Sequence, residues 1–481
     1  MEESDPAAAE ARAVAQVVIL PAAGDAGVLD YAVPEAMRPL TSAGMRVLVP
    51  LGRRQAVGII VATAARSAFP KLRNLLALLD EGPVIDAGAM RLCRWLADYY
   101  LCSLGEAITT ALPGSVRLTL DRVVRALPES GDGTRLTPDQ QELLAVLADE
   151  GGATRAIASL RRRGLVAIEQ RLRGGGDQLT RLRRFYRIRR RLGPAEAATW
   201  ERRRPKQYEI YRYLAQHPLG RAPASELHGS FDNLTAKLRA LQKEGLVGIE
   251  TEEFYRPVLP EDAPVNRAVR LNDEQNIAVA AIVGGEGFRP YLLWGVTGSG
   301  KTEVYLNAIG DVLARGRTAL VLVPEISLTH QVVDRVRARF GDGEGVAILH
   351  SGLSDGERWD EWRRIARGEV AIVVGARSAV FAPLPRLGLI VVDEEHDPSY
   401  KQQEGARYSA RDLAVWRGHQ RGVPVLLGSA TPALETWHRV QQGRYRRVAL
   451  PTRIGGGAMP RVRLLDMGQL PKPPGGERVL A

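Results

Sequence analysis

The sequence predicts an α/β protein, in which a parallel sheet covered by helices follows a small β-rich domain and winged-helix units. From about residue 265, apolar runs such as TALVLVP and LGLIVVD alternate with helical stretches, as in a parallel sheet buried on both faces. Residues 14–65 hold four short strand-like runs separated by turn residues, which is typical of a small barrel or sandwich. Residues 136–173 and 207–256 repeat one plan of helices, a Gly and an extended wing.

Length and composition limit the class of protein. At about 100–200 residues per domain, the 481 residues make about three or four domains, and a 45% hydrophobic share argues against wholesale disorder. No apolar run reaches the ~18 residues of a membrane span, and the acidic start MEESDPAAAE is unlike a signal peptide. We therefore expect a cytoplasmic protein without a membrane partner. Only Cys93 and Cys102 are present, which excludes a disulfide framework and an all-Cys zinc site.

The positive charge is concentrated in one segment. The chain carries a net charge of +11, a balance that is common in proteins that bind nucleic acid. Residues 155–206 hold 17 Lys and Arg against four acidic residues, so the rest of the chain is close to neutral. The central part of this segment, residues 173–191, is either a basic arm along phosphates or a solvated linker. Phe185 and Tyr186 among its arginines favour nucleic acid.

Helical patterns before the sheet predict a core helix and a basic helix. Around residues 86–103 the apolar positions recur at helical spacing and are predicted to be core; they are Leu92, Trp95, Leu96, Tyr99 and Tyr100. The first winged-helix unit opens with a capping box at Thr137–Gln140. The second carries Lys237, Arg239 and Lys243 on its last helix. That helix is predicted either to face nucleic acid or to be a solvated or protein-docking face.

Residues 295–302 form a phosphate-binding motif. They read G-x-x-x-x-G-K-T directly after a predicted strand and before a predicted helix, which is the context that a P-loop requires. Glycines let the backbone wrap around phosphate oxygens, and a helix N-terminus favours the anion. Lys301 is expected to reach the β- and γ-phosphates of ATP, and Thr302 to ligate Mg²⁺. The predicted ATP contacts in the loop are Gly295, Thr297, Gly298, Ser299, Gly300, Lys301 and Thr302.

Two acidic residues at the end of an apolar strand complete the predicted catalytic set. Asp393 follows LGLIVV as a Walker-B aspartate does, and such a carboxylate holds the Mg²⁺ shell. Glu394 beside it is predicted to orient or deprotonate the attacking water. The alternative, a buried ion pair without catalytic function, is weakened by the P-loop in the same chain.

Further motifs resemble those of superfamily 2 helicases. Asp393–His396 and Gly428–Pro432 resemble motifs II and III, Val323–Gln331 resembles motif Ia, and Leu271–Gln275 resembles the adenine-recognition element. The wording of WGVTGSGKTEVYL, LHSGLSDGER, GARSAVFAP and DEEHDPSYKQQEGARYSARDLAVWR is similar to the primosomal protein N′ family of replication-restart helicases. The resemblance runs through nearly the whole chain.

The resemblance implies a domain order. Residues 1–115 would capture the 3′ end of a DNA strand, and residues 116–200 would be a basic linker with a winged-helix-like unit. A winged-helix domain would follow at 201–260 and a RecA-like ATP-binding lobe at 265–451. Residues 452–481 would begin a connection to a second lobe.

The same resemblance implies roles for single residues. Asp30, Gly52 and Arg73 match the pocket for the 3′ end, where Leu29 replaces an aromatic residue that can stack on the terminal base. Gln275 would read adenine, His396 would link the nucleotide site to an aromatic-rich loop, and Thr431 would couple the motifs. The residues implied to contact DNA in the lobe are Arg377 and Ser378 in motif Ib, and Tyr400, Arg407 and Tyr408 in the aromatic-rich loop. In that loop Ala406 and Ser409 depart from the usual Trp and His.

The implied function is ATP-dependent 3′→5′ unwinding of DNA during replication restart and primosome assembly. Its cofactors would be ATP and Mg²⁺, and its partners forked and single-stranded DNA, single-stranded DNA-binding protein and other primosome proteins at the nucleoid. Zinc is expected in the family, and its Cys ligands are not in this sequence. We expect a chain truncated before a zinc-binding insertion and a second lobe, which binds ATP and DNA but unwinds poorly. The alternatives are a non-catalytic fork-binding scaffold and another superfamily 2 translocase.

Overall fold

In the computed structural model, three folded units follow one another along the chain. Within the part of the chain that the structure describes, no helix combines the length and the apolar composition needed to cross a membrane. The structure describes residues 13–20, 27–52, 54–114, 118–126, 166–174, 180–256, 258, 269–285, 287–324, 326–341 and 345–454.

The first unit is a six-stranded sheet packed on two helices. Its elements are β1 (Val14–Leu20), β2 (Leu29–Ala32), β3 (Arg46–Leu51), β4 (Arg54–Ala64), β5 (Arg73–Asn74), β6 (Ala77–Leu78), α1 (Ala87–Tyr100) and α2 (Leu104–Ala111). The strand order is β5-β2-β1-β4-β3-β6, and all neighbours are antiparallel except β2 and β5. Alternation decides the packing of β1, because Ala15 and Val17 enter the core of the sheet while Val18 packs toward the helices.

A two-stranded hairpin follows. β7 (Leu118–Ala126) pairs antiparallel with β8 (Val166–Gly174), in the register that sets Leu118 opposite Gly174. β8 is the extended ending predicted for the first winged-helix unit. The rest of that unit, including the capping box at Thr137–Gln140, lies outside the described residues.

The second winged-helix unit forms its own core. Its elements are β9 (Arg181–Ile188), α3 (Pro194–Arg203), α4 (Pro205–Gln216), β10 (Arg221–Pro223), α5 (Ala224–Ser230), α6 (Leu234–Lys243) and β11 (Val247–Phe254). The three strands form a sheet in the order β10-β9-β11. Leucines spaced along α6 face inward with Ile210 and Leu214 of α4, so the unit is held together by apolar burial.

Strand β9 corrects the interpretation of residues 173–191 as an arm or a linker. It pairs with β11 over its whole length, from Arg181 opposite Phe254 to Ile188 opposite Val247. Tyr186 and Ile188 pack against the core of the unit, so this stretch of arginines begins the winged-helix fold, upstream of the predicted start at residue 201. The partner strand lies about sixty residues further along the chain, which is why local pattern does not reveal the pairing. Residues 175–179 lie outside the described part.

The third unit is the predicted parallel sheet. Its elements are α7 (Asp273–Val283), β12 (Pro290–Gly295), α8 (Lys301–Ala314), β13 (Thr318–Leu322), α9 (Ile326–Phe340), β14 (Val346–Leu349), α10 (Asp355–Ala366), β15 (Ile372–Gly375), β16 (Leu387–Val392), α11 (Ala410–Arg421), β17 (Val425–Ser429), α12 (Leu434–Gln441) and β18 (Arg446–Leu450). All seven strands are parallel, in the order β14-β15-β13-β16-β17-β12-β18. Both faces are covered by apolar side chains, which confirms the RecA-like fold class.

The first unit packs directly on this lobe. Trp95 of α1 stacks on Trp416 of α11 with ring centroids 5.2 Å apart, and on Tyr99 at 4.8 Å. One apolar cluster runs from α1 and α2 through α11 into the sheet. Leu92 and Leu96 are core as predicted, but Tyr99 is 57% exposed because it forms the outer end of the stack.

The wing packs on the lobe from another side. Asp360 of α10 is fully buried, and its carboxylate accepts hydrogen bonds from the backbone N–H and the Nη1 of Arg256, which follows β11. Arg363 donates from Nη2 to the other oxygen of Asp360 at 2.9 Å and from Nη1 to Glu253 of β11 at 2.7 Å. A charged cluster therefore joins the winged-helix unit to the parallel-sheet lobe.

Candidate nucleotide and nucleic-acid sites

The P-loop connects β12 to α8 and turns on glycines. Gly298 and Gly300 have φ angles of +78° and +79°, a region that a side chain disfavours. At Gly295 an added Cβ would stand 2.5 Å from the Ser299 Oγ. That hydroxyl is buried and has no hydrogen-bond partner among the described residues. A loop closed by glycines, with a hydroxyl aimed inward, fits a bound phosphate group.

Lys301 lies inside this loop and faces motif II. Its Nζ donates to the carbonyl of Gly295 at 3.1 Å and lies 3.4 Å from the Glu394 carboxylate. The lysine side chain is 10% exposed. The structure thus brings the predicted phosphate-binding cation and the predicted general base into one site. Thr302 begins the same helix and is half-buried, whereas Thr297 and Gly298 are exposed at the tip of the loop.

Asp393 is a half-buried carboxylate with a partner that sequence reasoning missed. It follows β16, and its Oδ1 accepts a hydrogen bond from the Tyr305 hydroxyl at 2.9 Å. Burial raises the pKa of Asp393, while the bond from Tyr305 lowers it. Burial likewise raises the pKa of Tyr305 well above its usual value. Tyr305 stands one turn after Lys301 on a largely buried helix, where it has no sequence signal beyond ordinary core spacing.

The hydroxyl of Thr302 and the carboxylate of Asp393 fit the oxygen donors that Mg²⁺ prefers beside a nucleotide. Within the described residues there is no group of three or more His, Cys, Asp or Glu side chains arranged to hold a metal. A nucleotide-bound Mg²⁺ needs only one or two protein oxygens, because phosphates and water supply the rest. The donor set is therefore suited to this ion.

Gln275 braces the P-loop in this structure. Its side chain is buried; the Nε2 donates to the Ser299 carbonyl at 3.2 Å, and the Oε1 accepts from the Asn272 N–H in a capping box. Both ends of the amide are therefore engaged within the protein. Reading adenine would require Nε2 to exchange a loop carbonyl for the base.

His396 connects motif II to motif III. Its Nδ1 lies 2.8 Å from the Ser429 Oγ and 3.6 Å from the Glu394 carboxylate, and its Nε2 lies 3.4 Å from the Thr431 Oγ1. These bonds lead to motif III, not to the aromatic-rich loop that was predicted. Sequence reasoning missed the neighbouring Glu395, which is buried and accepts from the Thr436 hydroxyl at 2.8 Å.

The aromatic-rich loop is held by buried side chains. Tyr400 donates its hydroxyl hydrogen to the Asp393 carbonyl at 2.7 Å, and Tyr408 packs against Phe381. Both tyrosines are buried and support the loop, and their contact with DNA stays a prediction. Burial raises the pKa of Tyr408 to about 12. Ala406, in place of a Trp, is buried too and leaves no ring at the surface.

Motif Ib is tied to that loop. Arg377 opens a 3-10 turn and donates from Nη1 to the carbonyls of Ser399 and Lys401, each at 3.0 Å. Ser378 and Arg407 are exposed. A groove of about 940 Å³ lies between α2 and the lobe. Residues from both units line it, among them Thr109, Thr110, His350, Ser378, Gln402 and Tyr408.

Of the three residues predicted for a 3′-end pocket, Gly52 and Arg73 are in contact in the first unit, and Asp30 lies on the strand next to β5. Arg73 donates to the Gly52 carbonyl at 2.6 Å, and β5 places Arg73 beside Tyr31, the neighbour of Asp30. The carboxylate of Asp30 accepts a hydrogen bond from Ser67. Gly52 has a φ of +62° and open space around its Cα. Leu29 is partly buried against the core of the sheet, so no ring is available at this position.

The basic helix of the winged-helix unit presents its cations outward. Leu234, Leu238 and Leu241 of α6 are buried, whereas Arg239 and Lys243 are exposed and Lys237 is half-buried. One arginine of β9 is partly neutralised by a glutamate of β11. Arg187 lies 3.1 Å from Glu250, a pair exposed at the surface. The charge surplus of residues 155–206 is therefore smaller at this surface than the sequence indicates.

Comparison with known proteins gives matches to the first unit and to the parallel-sheet lobe. The model of the PriA 3′ DNA-binding domain matches residues 17–113, and that of the DEAD/DEAH box helicases matches residues 272–440. The replication restart protein PriA of Bacillus subtilis is 37% identical over 454 residues, which cover 91% of this chain and 55% of the relative.

Two further relatives carry the same name. PriA of Synechocystis is 35% identical over 471 residues, covering 92% of this chain and 55% of the relative. PriA of Treponema pallidum is 50% identical over 199 residues, covering 41% of this chain and 30% of the relative. The chain spans about half the length of the curated relatives that it matches over most of its own length. With a match to the PriA 3′ DNA-binding domain, a match to the DEAD/DEAH box helicases and relatives of one name, the chain is similar over most of its length to the replication restart protein PriA.

Proposed function

We propose that the protein hydrolyses ATP to drive 3′→5′ movement on single-stranded DNA during replication restart and primosome assembly at stalled or repaired forks. The observation that carries this proposal is the meeting of Lys301 and Glu394 at 3.4 Å, beside the half-buried Asp393. A phosphate-binding cation, a metal-binding carboxylate and a general base are then in one site.

The chemistry follows from what these side chains do. Lys301 exchanges Glu394 for the phosphates when ATP binds, which leaves the carboxylate free to orient the attacking water. Thr302 and Asp393 would hold Mg²⁺, which neutralises charge on the phosphates. Gly295, Thr297, Gly298, Ser299 and Gly300 line the phosphates, and Gln275 reads adenine. His396 and Thr431 transmit the state of the site through motif III.

The DNA contacts that we propose lie on three units. Asp30, Gly52 and Arg73 take the 3′ end, while Lys237 and Arg239 of α6 contact phosphates. Arg377, Ser378 and Arg407 face the single strand along the groove of about 940 Å³. The proposal keeps the order of domains predicted from the sequence. It moves the start of the winged-helix domain from residue 201 to β9.

Forked DNA, single-stranded DNA-binding protein and other primosome proteins at the nucleoid are the partners that we propose, with the cytoplasm as location. The B. subtilis and Synechocystis relatives are named replication restart proteins, which supports this setting. We expect weak strand displacement by these 481 residues alone. A single RecA-like lobe cradles ATP, and a trans-acting arginine is worth ~10³ or more in rate in other NTPases.

Two substitutions test the proposal. Lys301→Ala should lose nucleotide binding and hydrolysis together, because it removes the cation that is proposed to bind the phosphates. Glu394→Gln should keep ATP binding and lose about 10²–10⁴ in turnover, since only the base is removed. The measurements are fluorescent-ATP titration and phosphate release, with and without forked DNA carrying a 3′-OH. Wild-type turnover in Glu394→Gln would remove Glu394 from its role. DNA binding by the wild type without any ATP hydrolysis would favour the scaffold alternative.

A further inference from the structure

The segment after β18 lies across the P-loop. The Ile454 N–H donates to the Gly298 carbonyl at 2.9 Å, and the Val296 N–H donates to the Leu450 carbonyl at 3.3 Å. Between these points the Thr452 hydroxyl donates to the Glu274 carboxylate of α7 at 2.8 Å. The segment is therefore fixed at both ends and in the middle, on the side of the loop where α7 begins.

This segment presents an apolar side chain to the nucleotide site. A Cβ added at Gly300 would meet two side chains at once, the Cδ1 of Ile454 at 2.5 Å and the amide nitrogen of Gln275. The two side chains therefore converge over the same turn of the P-loop. Ile454 remains 53% exposed, so one face of it is open to solvent.

A purine base needs both of the surfaces that meet here. Its flat faces gain free energy when an apolar side chain covers them, and its edge needs hydrogen-bond partners such as an amide. The phosphates occupy the turn of the loop and the start of α8. We expect a base attached to them to lie toward α7 and the segment that carries Ile454, because Gln275 and Ile454 converge at Gly300.

We propose that Ile454 forms the apolar wall of the base subsite and that the bond between Thr452 and Glu274 holds this wall in place. The inference rests on the proposed ATP function and assigns to that site a residue outside its recognised motifs. The wall acts on the base and the ribose but not on the phosphates. Removing it should therefore weaken the binding of nucleotides and leave the affinity for a phosphate-only ligand unchanged.

The test compares ATP with inorganic tripolyphosphate, both with Mg²⁺, by calorimetric titration of the full chain. Ile454→Ala should lower the affinity for ATP about tenfold, because the apolar contact is lost. The affinity for tripolyphosphate should stay within twofold of the wild type. Thr452→Val should also lower the affinity for ATP. Ile277→Ala is the matched control, because Ile277 is also exposed, at 69%, and stands two residues after Gln275, on the far side of α7. It should bind both ligands as the wild type does.

The outcomes separate this inference from the proposed function. Unchanged ATP affinity in Ile454→Ala would overturn the inference, and equal weakening of both ligands would also overturn it, because the segment would then support only the P-loop. A wild-type chain that binds neither ligand would overturn the proposed ATP function itself.

Discussion

At the residue scale, Tyr305 contacts both the motif II aspartate and motif III. Its hydroxyl bonds Asp393, and the same hydroxyl lies against Gly428 of motif III, where an added Cβ would collide with it. One buried side chain thus contacts both the carboxylate that we propose for Mg²⁺ and motif III. Any side chain at position 428 would displace the tyrosine from the aspartate. This explains why a glycine suits that position.

Tyr305→Phe should move the acid limb of ATP hydrolysis to higher pH. Asp393 must be ionised to serve the metal, so activity is lost as the pH falls through its pKa. Burial already raises that pKa, and removing the hydrogen bond that lowers it raises it further. The measurement is the pH dependence of kcat/KM for ATP in the two proteins. An unmoved acid limb would show that the bond from Tyr305 does not control the ionisation.

At the element scale, α6 and β9 share the positive charge differently from what the sequence indicates. The arginines of β9 belong to a sheet, in which Arg187 is paired with Glu250 of β11, whereas the cations of α6 form no ion pair within the described residues. Deleting residues 173–191 would remove a strand of the fold and would not test charge alone. Point substitutions separate the two effects.

The double substitution Lys237→Ala, Arg239→Ala should reduce the salt dependence of DNA binding. Each lost phosphate contact lowers the slope of log K against log salt by about 1, so the pair should remove about 1–2. Arg187→Ala is the matched control. Its cation is already paired with Glu250, and a smaller change is expected. The measurement is fluorescence anisotropy on forked DNA over a salt range of about 50 to 200 mM. A slope identical to the wild type would place α6 on a protein-docking or solvated face.

At the scale of the whole molecule, Asp360 is the buried charge that joins the wing to the ATP-binding lobe. It is partnered by Arg256 from the wing and by Arg363 from its own helix. A buried carboxylate between two arginines is stable only while all members are present, because each charge left alone keeps its desolvation cost. The orientation of the winged-helix unit on the lobe therefore depends on this cluster.

Asp360→Ala should lower the free energy of unfolding by about 3–5 kcal/mol, because it leaves two arginine side chains without their buried partner. Glu250→Ala breaks an exposed pair of the same kind and should cost less than about 1 kcal/mol. Denaturant unfolding followed by circular dichroism compares the two. Equal effects of the two substitutions would mean that the cluster does not hold the units together.

Local pattern accounts for much of the site. The P-loop, the apolar strand before Asp393 and the leucine spacing of α6 depend on residues close together in the chain, where backbone geometry and burial leave few alternatives. Burial of Tyr400 and Tyr408 has no such signature. An aromatic side chain serves equally well in a core or against a base, and only the packing around it decides between the two.

The sequence by itself determined the parallel-sheet lobe, the turn of the P-loop and the resemblance to PriA, because all of them follow from periodicity and from motifs of adjacent residues. The tertiary structure alone decided that β9 is a strand, that Tyr305 bonds Asp393, that His396 faces motif III, and that Ile454 meets Gln275 over Gly300. Each of these contacts joins residues tens to hundreds of positions apart. Their energies arise from burial and hydrogen bonding between elements, which no local pattern of side chains encodes.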